Sequence, residues 1–137
     1  MEKFDRMLAN GEPLVLSIFR VITGLMLFQF GVAKFLKIPP LPMFANLELM
    51  SPYGIAGVLE LVLGGLLILG LFSRLAAFVL SGEMAFAYFI DNFPKGFIPV
   101  QNGGLLPIML CFACLYLAAA GGGPWSLDAF LRDRTRG

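Results

Sequence analysis

Histidine is absent from this chain of 137 residues. That absence removes the commonest axial haem ligand and most catalytic zinc arrangements. Charge is scarce too: Asp, Glu, Lys and Arg make up 14% of the residues, against about 25% in an ordinary soluble domain. The net charge of +1 provides no basic surface of the kind that binds nucleic acid. There are two cysteines, Cys111 and Cys114. They sit inside an apolar stretch, so they define no disulfide framework and say little about redox compartment. No residue set has the pattern of a catalytic or metal-binding constellation, so no catalytic residue, metal ligand or evident cofactor is assigned.

What is present is apolar. Hydrophobic residues reach 58% and the mean hydropathy is +0.84, which indicates an integral membrane protein with room for one domain, residues 1–137. The expected fold is an all-α membrane protein, a bundle of four transmembrane helices over about 14–36, 55–72, 75–90 and 103–120. The first run would rise about 34 Å as a helix, against a hydrocarbon core of about 30 Å. Lys3 and Arg6 precede it, as in a signal peptide. However, the run is too long for a signal peptide's apolar core, contains Arg20, and is followed by no small-x-small cleavage site, so it reads as a retained helix.

Residues 1–13 form a short polar lead of mixed charge, which could make an amphipathic turn at the membrane surface. Pro39, Pro40 and Pro42 open a loop to Gly54, within which 43–50 could form a short interfacial helix. Ser73-Arg74 reads as the turn between the second and third spans. Asp91, Gln101 and Asn102 are expected to cap the helices around the loop at 91–102. Pro107 falls in the first turns of the fourth span, where a missing N–H is tolerated. Trp125 is placed as an interfacial anchor, with Ser126 or Asp128 starting a short amphipathic helix. Outside the spans, Lys3, Arg6, Arg74, Arg132, Arg134 and Arg136 fall on one side and Lys37 and Lys95 on the other. The positive-inside bias puts both termini in the cytoplasm.

Four charges lie within the spans: Arg20, Lys34, Glu60 and Glu83. Arg20, Gly24, Gly31 and Lys34 share one face of the first span, and Gly57, Glu60 and Gly64 share one face of the second. Small residues let membrane helices approach closely, so each polar face is also a packing face. From a rise of about 1.5 Å per residue, Arg20 and Glu83 lie about 9 and 12 Å in from the cytoplasmic side. Lys34 and Glu60 lie about 3 and 8 Å in from the other side. The expected pairs are therefore Arg20 with Glu83 and Lys34 with Glu60. Two readings stand side by side: structural ion pairs that hold helix register, and a polar pocket for a ligand, a proton or a quinone head group. The Cys111-Phe112-Ala113-Cys114 motif lies mid-span, where two packed small residues are expected rather than a reactive thiol pair.

The ordered set of motifs resembles the DoxX family along nearly the whole chain. It comprises Arg20-x-x-x-Gly24, Gly31-x-x-Lys34, Glu60 with Gly64-Gly65, Leu69-Gly70-Leu71, Arg74-Leu75-Ala76-Ala77, Gly82-Glu83-Met84-Ala85, Asn102-Gly103-Gly104 and Gly123-Pro124-Trp125-Ser126-Leu127-Asp128. The resemblance implies a multi-pass protein of the bacterial cytoplasmic (inner) membrane, tied in relatives to thiosulfate:quinone oxidoreduction and to oxidative stress. Many relatives carry histidine where this chain has Phe30 and around Asn92, and glutamate where it has Leu105. Chemistry that needs those groups is therefore not expected here.

The expected function is an accessory or quinone-interacting component of a membrane redox or oxidative-stress system; any enzymatic role would be that of an oxidoreductase subunit. The alternatives are a non-enzymatic scaffold or assembly factor and, less favoured, a small transporter. The expected partners are the lipid bilayer and either a membrane redox protein or a second copy of the chain.

Overall fold

Uninterrupted apolar runs in this chain fold as helices, and glycine decides where they stop. The structure is a computed structural model that describes residues 1–35 and 52–136. In chain order the helices are α1 (Glu2–Asn10), α2 (Glu12–Phe35), α3 (Pro52–Leu69), α4 (Ser73–Ala87), α5 (Pro99–Asn102), α6 (Leu105–Ala120) and α7 (Leu127–Arg136). There is no strand among the described residues. The prolines at 39–42, Lys37 and the expected interfacial helix at 43–50 lie outside the described residues.

Several boundaries differ from expectation. The polar lead is a helix, α1, whose Phe4, Met7 and Leu8 are exposed. The turn between α3 and α4 is not Ser73-Arg74 but residues 70–72, with both Ser73 and Arg74 inside α4. The cause is Gly70, with φ of 75°. Glycine enters the left-handed region without steric cost, so α3 ends at Leu69, just before it, and Phe72 follows with φ of 51°. At the other end, α4 does not stop cleanly. A π-helical turn, Tyr88–Asn92, and a 3-10 turn, Phe93–Lys95, carry the helical path onward.

Two helical paths, Glu12–Lys34 and Ser73–Lys95, each of 23 residues, are long and apolar enough to cross a bilayer. Gly54–Leu69 and Leu105–Ala120 are apolar but shorter. The outward faces of these helices are also apolar: Phe86 is 71% exposed and Met109 68%. A soluble bundle would pay heavily for so much apolar surface in water, whereas lipid accepts it. The core is narrow and lies between helices, built from Leu27, Leu67, Ala76, Ala77, Leu80, Met84, Leu110, Cys114 and Leu117.

The tightest joint is α2 against α3, which run antiparallel. A Cβ placed on Gly31 would lie 2.6 Å from Leu61 N and 2.9 Å from Gly57 O. One on Gly64 would lie 2.9 Å from Phe28 N, and one on Gly24 2.9 Å from Ile68 N. The two backbones touch because no side chain separates them. Helices α4 and α6 pair antiparallel as well, with Ser81 Oγ donating to Cys111 O at 2.8 Å and Arg74 reaching Ala119 O near the α6 terminus. One end of the bundle therefore collects the start of α2, the α3–α4 turn and the end of α6, and α1 and α7 join it there. The opposite end collects Lys34, Glu60 and the turns that follow α4.

Gly31→Ala should destabilise the protein by about 1–3 kcal/mol, the usual cost of overpacking. Gly82→Ala, at a helical position with nothing within 4 Å of the added atom, should be neutral or stabilising by up to about 1 kcal/mol. Thermal unfolding of both variants in detergent micelles checks this, and equal effects would refute the close approach as a stability determinant.

Candidate functional site: a charged cluster beneath a pocket

The close α2–α3 joint brings Lys34 to Glu60. Lys34 Nζ donates to Glu60 Oε1 at 2.9 Å, with the Glu60 side chain 1% exposed and that of Lys34 12%. Gly57 makes room for the lysine, since a Cβ there would sit 2.9 Å from Lys34 Cβ. The ammonium also lies 5.8 Å from the centroid of the Phe30 ring, within cation–π range. The expected Lys34–Glu60 pair is thus present in the structure.

The expected Arg20–Glu83 pair is not. Arg20 donates through Nε to Leu67 O at 2.8 Å, through Nη1 to Gly122 O at 2.6 Å and through Nη2 to Ile68 O at 3.4 Å. The physical reason is that α3 ends beside it. The last carbonyls of a helix have no intrahelical partner and carry the negative end of its dipole. A guanidinium with five donors satisfies them and reaches the next loop as well. Depth along the helices put Arg20 and Glu83 at similar levels but carried no information about the carbonyls that compete for the cation. Glu83 instead faces Glu60 from α4 and lies within electrostatic reach of Lys34. The four sequence-selected charges therefore divide three and one: Lys34, Glu60 and Glu83 cluster at one end, and Arg20 is a structural clasp at the other.

That clasp belongs to a larger closure built by the tail. Ser17 Oγ accepts from Trp125 N at 3.1 Å. Asp128 accepts from Phe72 N and Ser73 N, each at 2.8 Å. It thereby caps α4, whose own preceding residue, Phe72, supplies no side-chain cap. Ser126 caps α7, its Oγ accepting from Ala129 N at 3.1 Å. Sequence reading placed Ser126 and Asp128 at a helix start but did not reveal that Asp128 serves a second helix.

Above the charged cluster lies a cavity of about 690 Å³. Its floor holds Lys34 and Glu60, its walls are Phe30, Met84, Leu106 and Leu110, and Asn92 and Lys95 stand at its rim. This size and this mix, mostly apolar with a few convergent polar groups, is typical of small-molecule sites. The rim is held in shape by Asn102, which donates to Gly96 O at 2.8 Å and to Tyr88 Oη at 3.2 Å. Asn102 Oδ1 also accepts from Gly104 N at 2.8 Å, at the start of α6, and Asn92 Nδ2 donates to Asn102 O at 3.0 Å. Sequence reading gave Asn102 a capping role and did not find its ties to Tyr88 and Gly96, which fold the loop after α4 back on itself. The cysteines stand outside this cavity: Cys114 is fully buried in the core and both thiols are free.

The DoxX family model matches residues 15–92. An uncharacterized protein of Haemophilus influenzae is 42% identical over 121 residues, covering 85% of this chain and 90% of that protein. An uncharacterized membrane protein of Mycobacterium tuberculosis is 30% identical over 149 residues, covering 92% of this chain and 86% of its own length. No solved structure matches the chain significantly.

Double-mutant cycles separate the two kinds of charge. Arg20→Gln and Glu83→Gln should add to within about 0.5 kcal/mol, as distant sites do. Glu60→Gln with Lys34→Met should couple strongly, because breaking one partner of a buried pair costs about 3–5 kcal/mol. Unfolding in micelles measures both, and strong coupling of Arg20 to Glu83 would contradict the arrangement described above.

Proposed function

The chain belongs to the DoxX family of membrane proteins, and from that premise we propose that it is an accessory, quinone-interacting component of a membrane redox or oxidative-stress system. In this reading α2, α3, α4 and α6 all cross the cytoplasmic membrane of a bacterium, and the end that carries α1 and α7 faces the cytoplasm. Lys3, Arg6, Arg74, Arg132 and Arg134 gather at that end, which is the distribution the positive-inside rule favours.

The observation that carries the reading is the cavity itself. It joins apolar walls to a buried ammonium–carboxylate pair near the end of the bundle. A quinone has the matching division: a flat head with two oxygens and an apolar tail that prefers lipid. Lys34 has donors for a carbonyl oxygen, and Glu60 has an acceptor for the hydroxyl of the reduced form. Phe30 offers its ring face to the head group, and Leu106 and Leu110 supply apolar wall for the tail. Phe30, which stands where many relatives carry histidine, and Asn92, near a second such position, both line this cavity. The chemistry supported here is binding and positioning of the head group. Electrons would come from a partner protein.

Glu60→Gln keeps the shape of the side chain and removes its charge. It should weaken binding of a short-chain quinol to the protein in lipid nanodiscs by about tenfold or more, the equivalent of one charge-assisted hydrogen bond. It should also lower quinone-linked oxidation in membranes at unchanged protein abundance. Unaltered binding and rates in stably inserted protein would reject the quinone reading.

A further inference from the structure

Behind the cavity floor, two carboxyl groups meet. Glu60 reaches inward from α3 and Glu83 from α4, and the two side chains lie against each other. Glu60 Oε1 is taken by Lys34. Glu60 Oε2 and both Glu83 oxygens are buried and receive no hydrogen bond among the described residues. Ionised carboxylates only accept hydrogen bonds. Three buried acceptor oxygens in one place, two of them on a group facing another acid, therefore lack the one thing they need, a hydrogen.

We propose that Glu60 and Glu83 form an occluded proton-binding site, in which one proton is shared between their facing carboxyl groups and Lys34 is the counter-cation. With that proton the cluster holds one ammonium, one carboxylate and one carboxylic acid, and is electrically neutral inside an apolar bundle. Without it, two like charges would stand in contact in a medium that cannot screen them, an arrangement in which one carboxyl keeps its proton. The groups facing the pair from each packed element agree with this balance. Helix α2 contributes Lys34, α3 contributes Glu60 itself and α4 contributes Glu83. Helix α6 contributes Cys114, whose thiol neighbours Glu83, with Cys111 beside it. Lys95 stands on the cavity rim.

The placement gives the proton an approach from the cavity. Glu60 lines the cavity and Glu83 does not, so exchange with the cavity passes through Glu60 while Glu83 is the inner store. This goes beyond the quinone reading, because the proton is held whether or not the cavity is filled. If that reading holds as well, the store sits where a quinol hydroxyl would release or recover its proton.

Infrared difference spectroscopy of the full chain in lipid nanodiscs tests the proposal without any ligand. Carboxyls in water are ordinarily ionised at neutral pH, so a protonated-carboxyl C=O band there reports the buried pair. Wild type should show this band, shifted in D2O. Glu83→Gln should lose it, because Glu60 and Lys34 then balance alone. Lys34→Met should raise its intensity about twofold, because both acids then keep a proton. Absence of the band in wild type overturns the proposal, as does a band that survives in both Glu60→Gln and Glu83→Gln. Should Glu83→Gln fail to accumulate, the Lys34→Met spectrum decides: unchanged intensity overturns the shared proton. A negative quinone-binding experiment alongside a positive band would reject only the quinone reading.

Discussion

The contact on which most of the molecule depends is the meeting of two bare backbones, α2 and α3, at Gly24, Gly31, Gly57 and Gly64. In lipid the hydrophobic effect does not press helices together, so close packing of this kind is a principal source of association. It also positions charge. With the helices this near, Lys34 passes over Gly57 and ends on Glu60, and Arg20 ends on the last carbonyls of α3. A bulkier interface would move both cations away from their partners. Those partners are what make a buried cation tolerable in an apolar bundle.

The two ends of the bundle then use charge differently. At the end carrying α1 and α7, charged side chains are spent on backbone. Arg20 closes α3, Asp128 opens α4, and Arg74 binds the last carbonyls of α6. Every one of these is a helix terminus, whose last amides or carbonyls have no partner within their own helix. The tail of the chain serves as a fastener across three helices, leaving its charges little freedom to do chemistry. At the opposite end the charges meet each other and a cavity, and several oxygens keep unused hydrogen-bonding capacity. Function is therefore to be sought at the second end.

How far this was legible from residues alone varied with the range of the interaction. Helix identity followed from apolar run length, because backbone polar groups in lipid must be satisfied within the segment. The glycine faces were legible from spacings of three and four. The Lys34–Glu60 pair was legible because its two members lie on those same faces at nearby depths. The Arg20–Glu83 pairing failed on equally reasonable depths. What competes for Arg20 is the main chain of α3 and of the Gly122 loop, which leaves no mark in the pattern of side chains. The α3–α4 turn was displaced for a related reason: Gly70, not the polar Ser73-Arg74, could adopt the left-handed backbone.

By itself, the sequence determined that this chain is helical and apolar, that it belongs with DoxX proteins, and which four charges must be accounted for inside the bundle. These are properties of composition, periodicity and local motif. Tertiary structure decided the partners. It sent Arg20 to helix-end carbonyls, turned Glu83 towards Glu60, gave Asp128 to a helix other than its own, and opened a cavity over Lys34 and Glu60. Each of those outcomes depends on which groups from distant segments arrive within about 3 Å of one another, and that is set only when the helices pack.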